Sequence, residues 1–138
     1  GRAVCGGDVE MRGDGMRAGG RAGLEHITVE DADVEGYRRA PDFIQREICP
    51  GGMLPAASRV GALADEAGLT PTHEAGFGGD YARTLAEWRD RFRAAWPGLA
   101  PAGFDDRFRR MWEFYLHYCE AGFRAGAIDV KHFVFARP

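Results

Sequence analysis

The clearest signal in the chain is the change of period in its apolar residues. In "GLEHITVED", 23–31, Leu24, Ile27 and Val29 with Thr28 among them predict a strand. In "VEGYRRAPDFIQREI", Pro41 at a first helical turn, with Asp42 beside it, predicts a short helix through Ile48. The stretch "CPGGMLP" then predicts a rigid bend. Pro50 ends the helix, the two glycines relax the backbone, and Met53 and Leu54 sit at the tip. A second helix is predicted over 57–67, with Val60, Leu63, Ala64 and Ala67 on one face and Gly68 at the position after its end. "LTPTHEAGFGG" predicts a short strand and a loop.

The two longest periodic segments follow. Tyr81, Leu85, Trp88, Phe92 and Ala95 recur at helical spacing, and so do Phe108, Met111, Trp112, Tyr115, Cys119 and Phe123. Asp105 and Asp106 suit the start of the second helix and Gly126 its end. The last stretch, "AIDVKHFVFARP", alternates and predicts a strand with burial on both faces. Strand, helix, bend, helix, strand, helix, helix, strand is the order of an α/β layered domain. Residues 1–21 are rich in Gly and Arg, poor in large apolar side chains, and predict irregular structure; the domain proper is expected over 22–138.

Composition narrows the function classes. A chain of 138 residues with 45% hydrophobic content suffices for one compact core. The formal net charge of −3 gives no argument for a nucleic-acid partner. No apolar run approaches the roughly 20 residues of a membrane span. Three widely spaced cysteines, Cys5, Cys49 and Cys119, make neither a disulfide framework nor a zinc motif, and point to a reducing cytoplasm. The four histidines share no metal-ligand spacing. "GDGMRA" fits a dinucleotide loop formally, yet "DVEMR" before it is a poor buried strand and "GGRAG" after it is no helix.

Three stretches taken together, "PDFIQREICPGGMLP", "FGGDYARTLAEWRDRFRAAWP" and "RFRRMWEFYLHYCEAGFRAGAIDVKHFVF", resemble the cyclopropane-fatty-acyl-phospholipid synthases and mycolic acid cyclopropane synthases. The resemblance runs from about Gly19 to Phe135. It implies a fold: the C-terminal part of a Rossmann-like class I methyltransferase sheet with helices packed on it. Family members are more than twice this long, so the resemblance implies a chain that starts near the fifth of seven strands. The glycine-rich cofactor loop and the catalytic glutamate would lie outside it.

The resemblance implies S-adenosylmethionine as methyl donor, bicarbonate as base and unsaturated phospholipid acyl chains as substrate. Matched by position, Tyr81, Glu25 and Ile27 fall on bicarbonate-site positions, Ile27 through its backbone. Glu25 stands where the family has His or Gln, and a carboxylate repels bicarbonate unless it is protonated or turned away. His26 is adjacent, but a strand points it to the opposite face. Met53 and Leu54 fall on the wall of the acyl cavity, where a substrate without polar groups at its double bond needs apolar surface. Without the resemblance, Tyr81 is equally a core tyrosine, Glu25 a solvated residue, and the bend a turn that buries two side chains. Arg89, Arg93, Arg107, Arg109 and Arg110 are expected either as a solvated face or as contacts to an anionic, cytoplasm-facing membrane surface. The alternatives are a non-catalytic lipid- or protein-binding module, and a half-enzyme completed by a second chain carrying the N-terminal part; the apolar sheet edge near Leu24 to Val29 is also expected to favour a homo-oligomer. The 138 residues alone are expected to bind the cofactor poorly.

Overall fold

The structure, a computed structural model, describes residues 15–39, 42–48 and 52–138, apart from the side chains of residues 37, 38 and 45. They divide into two compact units, one of residues 15–76 and 128–138 within the described set and one of residues 77–127. Cys5, Pro41, Cys49, Pro50, Gly51 and most of the Gly/Arg-rich N-terminal stretch lie outside the described residues.

The first unit is built on a three-stranded sheet in the order β1-β3-β2, with β1 at Arg21–Val29, β2 at Thr70–Gly76 and β3 at Ile128–Ala136. Both outer strands run antiparallel to β3, so β1 and β2 are parallel to each other with the last strand inserted between them. Leu24 faces Phe133 and Ala22 faces Phe135 across the β1–β3 ladder. Because paired residues share a face, this side of the sheet is apolar at its β1 end. Helix α2, Ala57–Glu66, covers it: Val60, Ala64, Leu69, Phe133 and Phe135 form the buried core, joined by Met16, Leu24, Ala57 and Ala67 at its margin. Burial on both faces of β3 follows the expected pattern, since Val130 is as buried as Phe133 although it points the other way.

Gly68 takes φ +70° after α2, and the amides of Gly68 and Leu69 close on the carbonyls of Asp65 and Ala64 at 3.0 and 2.9 Å. The two bonds satisfy carbonyls that the helix end leaves unpaired, and Leu69 drops into the core beside Ala64. Along β2, Pro71 cannot donate to the ladder, and the pairing slips between Pro71 and His73; the Thr72 hydroxyl donates to the Val134 carbonyl at 3.1 Å across the slip.

Two local expectations change. Strand β1 begins at Arg21, two residues before Gly23, and the turn before it is tied down: Gly19 donates to the Arg137 carbonyl at 2.9 Å and Arg137 to that of Gly20 at 3.0 Å. The stretch expected as one helix from Pro41 to Ile48 instead shows a π-helical turn at Ile44–Ile48, while helix α1 occupies Val34–Arg39, where no helix was expected. Val34–Arg39 carries no apolar stripe; a 3-10 turn at Asp31–Asp33 leads into it and a Glu35–Arg39 pair spans it.

The second unit is a helical hairpin of α3, Gly78–Leu99, and α4, Asp106–Arg124. Partners along α3 at Tyr81, Arg89 and Arg93 meet Phe123, Glu120 and Glu113 on α4, so the helices are antiparallel. Asp105 caps α4 by accepting from the Phe108 amide at 2.8 Å, and Gly126, at φ +73°, ends it with the same pair of turn bonds that ends α2.

Candidate functional site

The first unit brings Glu25 and Ile27 onto the sheet face opposite α2. The β1–β3 register sets His132 directly across from Glu25 and Val130 across from Ile27. The His132 Nε2 and a Glu25 carboxylate oxygen are hydrogen-bonded, the imidazole donating. The carboxylate that sequence comparison left facing an anion is therefore engaged by a ring nitrogen from the neighbouring strand. His26 points to the other face, as the strand period requires, and its Nδ1 lies 2.7 Å from the Ile27 carbonyl. The bend carrying Met53 and Leu54 is anchored to the end of the same strand. Val29 donates to the Pro55 carbonyl at 3.1 Å, and Val29 and Ala56 bridge in parallel. Met53 is 42% exposed and Leu54 half-buried, so the bend offers apolar surface instead of hiding it.

The second unit places Tyr81 in the first turns of α3, its ring edge-on to Phe123 at 5.1 Å and to Trp88 at 5.9 Å. Tyr115 and Cys119 lie one turn apart on α4, hydrogen-bonded to each other, with Phe123 a turn further on. Burial pushes the Tyr115 hydroxyl up to about 12, and the neighbouring Cys119 and Tyr81 add to the shift. Tyr115 thus stays a neutral hydrogen-bond donor at any physiological pH. Two half-buried phenols and a buried thiol set among aromatic rings make apolar packing with a few fixed polar points, the mix of residue types that lines small-molecule sites.

The ionised form of Tyr115 is disfavoured by folding. The stability this contributes is complete below the ordinary value of 10.0 and is lost as pH rises through about 12. Spectrophotometric titration should therefore show one tyrosine ionising only at about pH 12, later than an ordinary phenol, and Tyr115→Phe should abolish that late phase.

Of the residues expected from the sequence, Glu25, Ile27, Met53 and Leu54 belong to the first unit and Tyr81 to the second. Sequence reasoning did not single out His132, Tyr115 or Phe123 as site residues. The register that joins His132 to Glu25 has no local signature, whereas the spacing of Tyr115, Cys119 and Phe123 was visible as part of the helix stripe. Among the described residues no group of His, Cys, Asp or Glu is placed to hold a metal, and no helix is long and apolar enough to cross a membrane.

Of the formal dinucleotide loop "GDGMRA", residues 13 and 14 lie outside the described residues; its described part, residues 15–18, leads through a turn into strand β1 and not into a helix, so it does not fit the glycine cradle of a nucleotide-type cofactor.

Comparison with known proteins agrees with the resemblance carried by the three sequence stretches. The family described as mycolic acid cyclopropane synthetase matches residues 10–133. The tuberculostearic acid methyltransferase UfaA1 of Mycobacterium tuberculosis is 39% identical over 123 residues, covering 88% of this chain and 29% of that protein. The cyclopropane-fatty-acyl-phospholipid synthase of Escherichia coli K12 is 38% identical over 95 residues, covering 69% of this chain and 24% of that protein. The mycolic acid cyclopropane synthase CmaA1, solved in complex with SAH and CTAB, superposes with a TM-score of 0.74 at 29% identity, over 86% of this chain and 45% of that one. The chain thus spans less than a third of the length of either of these two curated relatives. Its sheet and helices are those of a class I methyltransferase, and the chain belongs to the mycolic acid cyclopropane synthetase family.

Proposed function

We propose that the chain forms the acyl-chain side of an S-adenosylmethionine-dependent methyltransferase of the cyclopropane synthase type, acting on unsaturated acyl chains of phospholipids. The observation that carries the reading is the Tyr81–Tyr115–Cys119–Phe123 cluster, apolar packing with fixed hydroxyls in a chain of this family. S-adenosylmethionine, when bound, supplies the methyl group. Its cradle is assigned to the part of the family fold beyond these residues, and micromolar binding of the cofactor by the 138 residues alone is not expected.

The chain's own residues have more limited roles. An alkene offers no charge or hydrogen bond to hold, so Met53 and Leu54 would position it by contact and exclude water. The Tyr81 hydroxyl would hold the proton acceptor, a bound bicarbonate by resemblance, where a proton leaves. On its own sheet, Glu25 stays engaged by His132, which lowers the negative charge it presents. The second reading, a non-catalytic module binding lipid or protein, draws on the turn at residues 15–20, which leads into a strand and not into a helix.

The test is a chimera in which this chain replaces the matching segment of the E. coli synthase, with and without Tyr81→Phe. The substitution removes one hydroxyl and should change stability by no more than about 1 kcal/mol. Product in the lipid extract should fall by about 100-fold, the order expected when a positioned proton-transfer group is lost. Unchanged product would return Tyr81 to the role of a packing residue and favour the module.

A further inference from the structure

We propose that the outward face of α4 is a docking surface for the anionic surface of a phospholipid bilayer; the choice of occupant rests on the phospholipid reading above. The charges of α4 are sorted by side. Its two carboxylates beyond the first turn, Glu113 and Glu120, turn toward α3, where Arg93 and Arg89 take them up. Arg109 is spent on the inner side as well, 5.6 Å over the Trp96 ring and 3.6 Å from Asp106.

The opposite side, spaced three and four residues apart, carries Arg107, Arg110, Phe114, Tyr118 and Ala121, all exposed, and no carboxylate. Phe114 and Tyr118 stack at 5.9 Å while 50% and 38% exposed, a costly display of aromatic surface to water. Arg107 and Arg110 make no ion pair with any described residue, whereas Arg83, Arg89, Arg91, Arg93, Arg109 and Arg124 of the same unit are all paired. A helix lying in the plane of a membrane interface shows this combination: aromatic rings that sink to the level of the headgroups, beside unneutralised arginines that meet phosphates. A protein partner offering acidic side chains would satisfy the arginines but leave the ring pair needing its own apolar pocket, so the bilayer is the simpler complement.

Sedimentation of the chain with vesicles tests this. Vesicles of equal parts phosphatidylglycerol and phosphatidylcholine should carry the chain down, and pure phosphatidylcholine should not. Arg107→Gln with Arg110→Gln should weaken partitioning about 25-fold, close to fivefold per arginine. Phe114→Ser with Tyr118→Ser should weaken it too, with circular dichroism checking that each variant is folded. Arg83→Gln, which removes a charge from α3, should change nothing. Equal binding to both vesicle types, or equal loss with Arg83→Gln, would overturn the proposal. So would displacement by millimolar inorganic phosphate, which would mark a small-anion site, or binding to polyglutamate without binding to vesicles. Vesicle binding needs no methyl transfer. An active chimera whose chain ignores vesicles sinks the docking surface alone, and a chain that binds vesicles in an inactive chimera sinks the enzymatic reading alone.

Discussion

Phe135→Ala is expected to lower the stability of the chain by about 3–5 kcal/mol, the range for emptying a buried aromatic position. Phe135 is 1% exposed, stacks on Phe133 at 6.1 Å and closes the core formed by Val60, Ala64 and Leu69. It is also paired on both sides: Ala22 of β1 and Pro71 of β2 lie opposite it in the sheet. The nearest helix and strand neighbours, Ala22, Ala57 and Ala64, are small, and Val60 is held on a helix, so the space refills poorly. Urea unfolding followed by circular dichroism gives the difference. A loss below about 1 kcal/mol would mean that the sheet and α2 do not share this core.

Glu120→Ala should be the most damaging charge deletion, at about 2–3 kcal/mol, somewhat under the cost of orphaning a fully buried charge. The Glu120 carboxylate is 12% exposed and bridges Arg89 and Arg124, and Arg89 is itself 16% exposed. Without Glu120 the Arg89 guanidinium keeps Asp90 at 3.4 Å and His117 Nδ1 at 3.3 Å. Asp90 is largely solvated, and an imidazole nitrogen replaces a full negative charge poorly. The double substitution Arg89→Met, Glu120→Leu should recover most of the loss, because it removes both desolvated charges and leaves apolar volume in their place. The same unfolding experiment on the single and double variants decides it. A double variant less stable than Glu120→Ala would show that the guanidinium works mainly through packing.

Much of this architecture was legible in the residues, for identifiable reasons. Helices α2 and α4 announce themselves by apolar spacing and by Gly68 and Gly126, because only glycine takes the left-handed turn at little cost. The alternation in β3 anticipated burial on both of its faces. The stripe on α3 was misjudged at Trp88, which is 45% exposed, while Ala82, outside the stripe, is 1% exposed. Periodicity locates a face but not the line of closest approach along it, where a small residue fits and an indole does not. Helix α1 went unseen because it is only six residues long, too short to show a helical period. Family motifs pointed to Glu25 and Tyr81, yet the partner of Glu25 required the strand register, a property of the whole sheet that no window of sequence contains.

The most direct measurement follows the methyl group. Cells producing the chimera with the E. coli synthase are fed methyl-labelled methionine, and the phospholipid acyl chains are separated by gas chromatography with mass detection. Label in a methylene bridge or methyl branch at the former double bond is the predicted result. A chimera that is folded and loaded with S-adenosylmethionine but leaves every unsaturated chain unlabelled would contradict it.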